Sequence, residues 1–119
     1  MNKYNAKKTL VNGISFDSKK EAERYEELLE MESDGKIANL ELQPVYELQP
    51  GFRDSEGKAV RRITYRADFR FTEADFTGQD AKVVVEDTKG YRTDTYKLKR
   101  KMFLYKIRTE GLNIEFRET

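Results

Sequence analysis

Apolar and polar side chains alternate without interruption from Ile63 to Phe71. Ile63, Tyr65, Ala67, Phe69 and Phe71 fall on one side, and Thr64, Arg66, Asp68 and Arg70 on the other. A period of two over that length predicts a half-buried β-strand within residues 59–74. After a loop over 75–80, AKVVVEDTK (81–89) predicts a further strand, its valines marking a core position. Alternation puts Val83, Val85, Asp87 and Lys89 on one face of it and Val84, Glu86 and Thr88 on the other. A core strand therefore runs directly into two carboxylates and a lysine, and Asp87 and Lys89 converge on one side of its end.

The other elements come from turn and capping chemistry. Asn12-Gly13 between two short apolar runs (9–16) predicts a small hairpin. Ser18 with Glu21 three residues on forms a capping box that opens a helix, along which Ala22, Tyr25, Leu28, Leu29 and Glu32 recur at helical spacing. Gly35 closes it. Residues 39–52 alternate, but Pro44 and Pro50 confine them to an edge or a broken strand. RDSEG (53–57) is a turn. Thr93 or Asp94 caps a second helix that reaches about Arg108 with a core stripe of Leu98, Met102, Phe103 and Tyr105. Gly111 ends it, and residues 112–118 alternate as a last strand. The predicted order is hairpin, α, β, β, β, α, β. The class is α/β (α+β), with a mixed sheet flanked by two helices.

Composition narrows the chemistry. With 119 residues the chain predicts one domain, 1–119, able to bury a modest core. Charged residues make up 38%, yet seven Tyr and seven Phe give that core large pieces to pack. Cys and His are both absent. That removes disulfides, thiolate zinc sites, cysteine nucleophiles and every mechanism built on an imidazole base. The tools left to an enzyme are carboxylates, lysines, tyrosines and a hard metal ion on oxygen ligands.

The net charge of +1 announces no nucleic-acid partner, but the charges are segregated. Residues 17–34 carry eight acids against three bases, and residues 94–108 six bases against one acid. No apolar run approaches the ~20 residues that cross a bilayer, and the basic N-terminus lacks the apolar segment of a signal peptide. The expectation is a cytoplasmic protein with no membrane partner.

Asp68 lies on the strand preceding Asp87 and Lys89, and an antiparallel connection would bring all three to one place. Two carboxylates on adjacent strands would hold Mg²⁺ or Mn²⁺, with waters completing the octahedron. Lys89 would then orient the attacking water or stabilise developing charge at a phosphate. Each residue also has an ordinary explanation. Asp68 between Arg66 and Arg70 is a solvated strand residue, Asp87 and Lys89 are an ion pair at a strand end, and Glu21 is half of a capping box. Glu86 stands beside Asp87, and a bulge would exchange their faces, so the choice of second acid stays open.

YRADF followed by VVEDTKG, with Asp87 nineteen residues after Asp68, resembles the D…(D/E)xK signature of the PD-(D/E)XK nuclease superfamily. The predicted α-β-β-β-α-β order is similar to that superfamily's restriction-endonuclease-like core. NGISFDSKKEAERY, the LELQP…YELQPGF segment and the ADF…VEDTKG…Y block resemble a family of small, uncharacterised phage and prophage proteins placed within it. The likeness covers nearly the whole chain, with Ala67 standing where the name's proline would be. It implies Asp68 and Asp87 as metal ligands, Lys89 as the catalytic lysine and Glu21 as the helical acid of many members, assisting through metal or water.

The resulting expectation is a divalent-metal-dependent endodeoxyribonuclease, a hydrolase in phage recombination or junction processing, acting in the host cytoplasm. A homodimer would supply one site per strand. Lys97, Arg100 and Lys101 on the basic helix, with Arg61 and Arg62, would neutralise DNA phosphates; a solvated amphipathic face explains the helix equally. The rivals are a catalytically inactive nucleic-acid- or protein-binding module on the same fold, indifferent to metal, and an inhibitor that binds a host protein.

Overall fold

A computed structural model describes residues 9–73, 81–88 and 91–119. Among these residues the chain forms two helices and ten strands, an α+β arrangement. The N-terminal hairpin pairs β1 (Thr9–Val11) with β2 (Ile14–Phe16). Asn12 and Gly13 both take positive φ, 51° and 78°, as a two-residue hairpin turn that matches strand twist requires. Helix α1 (Lys19–Ser33) opens where the capping box predicts, with Ser18 Oγ accepting from the Glu21 amide at 3.1 Å. Helix α2 (Asp94–Thr109) is capped by Thr93, whose hydroxyl accepts from the Tyr96 amide at 3.0 Å.

The remaining strands are β3 (Ile37–Leu42), β4 (Val45–Gln49), β5 (Phe52–Arg53), β6 (Ala59–Val60), β7 (Ile63–Arg66), β8 (Phe69–Glu73), β9 (Lys82–Asp87) and β10 (Ile114–Glu118). The main sheet runs β10-β9-β8-β3. Its β9–β10 pair is parallel, and β8–β9 and β3–β8 are antiparallel. β4 pairs with β7, and β5 with β6 across the turn predicted at 53–57.

One expectation is corrected. Residues 59–74 are not one strand with one buried face, because the chain breaks at Ala67–Asp68 into β7 and β8. Tyr65 and Ala67 pack with Val85, Tyr96 and Phe103, whereas Phe69 and Phe71 join the other core with Ala22, Tyr25, Leu28 and Val84. Adjacent Val84 and Val85 enter different clusters, so the two cores lie on opposite faces of the sheet, one under each helix. The cause lies in the partner segment. β3 ends and β4 begins around Gln43, which takes φ 51°, and buried Pro44. The Gln43 amide donates to the Asp68 carbonyl at 2.9 Å and the Ala67 amide to the Pro44 carbonyl at 3.1 Å. A single two-stranded ribbon, β3–β4 against β7–β8, thus turns a corner while keeping its hydrogen bonds. A local irregularity of this kind re-aims side chains. Asp68 sits at that corner.

The second correction concerns α2. Its buried stripe is Tyr96 and Phe103, with Ile107 packed against the same cluster. Leu98 and Tyr105 are instead 57% and 71% exposed. Each lies two residues past a buried position, about 200° around the helix from it.

The corner predicts an asymmetry at Gln43. Gln43→Gly should retain or raise stability in urea unfolding, whereas Gln43→Val should fall about 1–2 kcal/mol below the glycine variant, because a β-branched residue resists positive φ.

Candidate metal and nucleic-acid site

Strand β9 is central in the sheet and buries two consecutive acids, each 0% exposed. They face opposite ways. Glu86 pairs in register with Phe69 of the α1-side core and meets Arg24 of α1 in a two-point ion pair, at 2.6 Å from Nε and 2.8 Å from Nη2. The hydrogen bond to Glu86 is the main cause of an Arg24 guanidinium pKa far above its ordinary value. Asp87 faces the α2 side and accepts a short hydrogen bond from the Tyr65 hydroxyl. Burial first, then the charge of Asp87 and its hydrogen bond, and more weakly Tyr96 and Asp68, drive the Tyr65 phenol far above its ordinary pKa. That phenol stays protonated and donating.

The two acids differ in their partners: Glu86 is held by Arg24 of α1, and Asp87 is bonded to Tyr65 on the α2 side. The Asp68 amide donates to the Glu86 carbonyl at 3.2 Å, although Glu86 already pairs in register with Phe69, so Asp68 stands just outside the regular β8–β9 ladder. Asp68 Oδ2 accepts from the Thr88 amide at 2.7 Å and from the Thr88 hydroxyl at 2.8 Å. The side chain at the corner thereby fixes the exit of β9, the residue before Lys89. Lys89 itself lies outside the described residues.

Glu21 is buried, 6% exposed, in the first turn of α1. That turn lies over the ends of β9 and β10: Lys20 Nζ donates to the Thr119 carbonyl at 2.7 Å, and Arg24 holds Glu86. A cavity of about 290 Å³ there is lined by Lys20, Glu23, Arg24, Glu27, Thr88 and Thr119.

A further acid escaped the sequence reading. Parallel pairing sets Glu118 of β10 beside Asp87 of β9. Glu118 accepts from the Tyr96 hydroxyl at 2.7 Å and from Arg100 Nε at 2.8 Å, with Arg92 Nε at 3.2 Å. Burial alone would raise its carboxyl pKa, but these hydrogen bonds and the two arginine charges hold it below the usual 4.5. The local signal, alternation in IEFRE, says nothing of a parallel partner 31 residues away.

The basic residues divide between two grooves. Lys97, Arg100 and Lys101 line one of about 520 Å³ with Arg92, Leu104 and Glu118. Arg62 lines another, about 420 Å³, with Val45, Thr64, Arg66 and Lys99. Arg61 is exposed beside it in the chain.

Among the described residues no three carboxylates form a group placed to hold a metal ion. The carboxylates that the sequence reading offers to one are Asp68 and Asp87, which meet at the exit of β9. Mg²⁺ binds through one or two carboxylates and completes its shell with water and substrate phosphate, so two acids at neighbouring strand ends suit it without a third.

A family model described as Protein of unknown function (DUF1064) matches residues 1–117 of the chain. No curated protein and no solved structure matches it.

Two outcomes test this geometry. Tyr65→Phe leaves a buried carboxylate short of a donor and should lower unfolding stability by about 1.5–3 kcal/mol. The depressed carboxyl of Glu118 contributes stability that is present above 4.5 and lost as pH falls below it. Arg100→Gln should therefore flatten the acid limb of a stability–pH curve relative to wild type in that range, the other acids contributing equally to both curves.

Proposed function

We propose that this chain, which belongs to the DUF1064 family of proteins of unknown function, is a divalent-metal-dependent endodeoxyribonuclease of the PD-(D/E)XK type. The observation behind the reading is that Asp68 is bonded at the exit of β9, to the amide and hydroxyl of Thr88, directly beside Asp87 in the chain. Two carboxylates gathered at one strand end, with a lysine two residues beyond the second, are the equipment of histidine-free phosphodiester hydrolysis.

Mg²⁺ or Mn²⁺ held there would polarise a phosphoryl oxygen and make water a nucleophile near neutral pH. The chain's own residues prepare that chemistry. Tyr65 orients Asp87, and the low-dielectric setting keeps the phenol neutral. Thr88 takes one oxygen of Asp68 with two donors and so fixes the plane of that carboxylate. Lys89 comes directly after Thr88, and its ammonium would position the attacking water or stabilise charge building on the phosphate. Glu21 would orient water from the α1 side. Lys97, Arg100 and Lys101, with Arg61 and Arg62, would neutralise the flanking backbone, and a homodimer would cut both strands.

One observation favours a second reading, a binding module without catalysis: Asp87 is fully buried and already serves as the acceptor of a core tyrosine.

The discriminating experiment incubates the protein with supercoiled, linear and four-way-junction DNA plus Mg²⁺ or Mn²⁺. The nuclease cuts at least one of these, stops in chelator, and loses about 100-fold or more in rate with Lys89→Ala, Asp68→Asn or Asp87→Asn. Intact DNA in every tube, with DNA binding retained and insensitive to chelator, selects the binding module.

A further inference from the structure

Helix α2 buries one side and leaves an unusual opposite side. Leu98, Lys101, Tyr105 and Arg108 recur at spacings of three, four and three, which is one face of a helix. That face is turned away from the stripe of Tyr96 and Phe103, and it exposes Leu98, Leu104 and Tyr105 among cations. Two concavities meet on it at Lys101. The groove of Arg92, Lys97, Arg100 and Lys101 lies to one side. To the other lies a smaller one of about 420 Å³ whose lining adds Leu48, Met102, Tyr105, Lys106, Thr109 and Glu110, the last paired with Lys106. In the first groove Glu118 engages Arg92 and Arg100, while neither Lys97 nor Lys101 enters an ion pair among the described residues. Tyr91, also largely exposed, directly precedes Arg92 in the chain.

The charge of this track selects a polyanion, and its aromatic and aliphatic content selects among polyanions. A duplex presents phosphates outward and hides its base faces, so it would gain little from Leu98 or Tyr105. An unpaired strand offers both phosphates for the lysines and base faces for the tyrosine, the combination by which single strands are held without sequence preference. Sixteen residues of helix span about 24 Å, room for a few nucleotides.

We infer that the outward face of α2 binds an unpaired nucleic-acid strand, with bases stacked on Tyr105 and phosphates on Lys97 and Lys101. The inference rests on the proposed nuclease function only in taking the polymer to be DNA; it directs that enzyme to substrates with single-stranded segments.

The test is made in chelator, so that no cleavage enters. Fluorescence anisotropy compares a labelled oligothymidine with a duplex of equal length. The single strand should bind more tightly, and Tyr105→Ala should weaken it roughly 5- to 150-fold, the range of one base–aromatic stack. Tyr105→Phe should restore most of that loss. Lys101→Gln should weaken both DNAs and lower the single-strand salt slope by about 0.7. Because Tyr105 is exposed, its loss leaves the core intact. Equal affinity for the two DNAs, or no effect of Tyr105→Ala, overturns the proposal. So does a concentration-dependent dimer that Tyr105→Ala dissolves, which would make a second copy the occupant of this face. Single-strand binding without metal-dependent cleavage would sink the nuclease reading alone, and cleavage with a duplex preference would sink this one alone.

Discussion

Everything at the candidate site depends on how one central strand carries two adjacent buried charges. β9 has a neighbour on each side, so neither Glu86 nor Asp87 reaches water by leaning off an edge. An isolated ionised carboxylate in such a place is untenable, and each needs its own partner. Pleating resolves the conflict by sending them apart, Glu86 to the guanidinium of Arg24 and Asp87 to the hydroxyl of Tyr65. The two solutions differ in kind. Arg24–Glu86 is a matched ion pair that neutralises its charge and locks α1 onto the sheet; removing one partner of such a pair typically costs about 3–5 kcal/mol. Tyr65 gives Asp87 a neutral hydrogen-bond donor from the α2 core.

The corner at Gln43–Pro44 and Ala67–Asp68 lets Tyr65 serve this purpose. Had residues 63–71 run straight, Tyr65 and Phe69 would share a face, and Tyr65 would lie with Phe69 in the core under α1. Because the ribbon turns, Phe69 fills the α1 core while Tyr65 crosses to the α2 core and meets Asp87. The turn also leaves Asp68 outside regular pairing, free to clamp Thr88 through its side chain while its backbone keeps the ladder closed. Packing and site geometry therefore share one cause.

Much of the fold was legible because its signals are local. The Asn12-Gly13 hairpin, the Ser18 and Thr93 caps and the valine run each declare themselves within a few residues. Three features were not legible. The corner was hidden because alternation continues unbroken through Ala67 and Asp68 while the chain beneath it changes sheets. The α2 stripe was misread because Leu98 and Tyr105 look like core residues by type, and only Tyr96 and Phe103 reveal the angle at which the helix sits. Glu118 was missed because a parallel crossover brings its partner from far along the chain. Composition names the residues that fit a core, and only tertiary contacts decide which of them enter it.

Glu118 also links the two halves of the functional reading. It lies beside Asp87 in the sheet, yet its carboxylate reaches outward to Tyr96, Arg100 and Arg92. Its charge is offset on the side of the groove by Arg100 and Arg92. It thereby engages Arg92 and Arg100 in the groove that Lys97 and Lys101 also line. On the proposed reading, a polyanion held along the helix would reach the strand ends with part of its charge already offset.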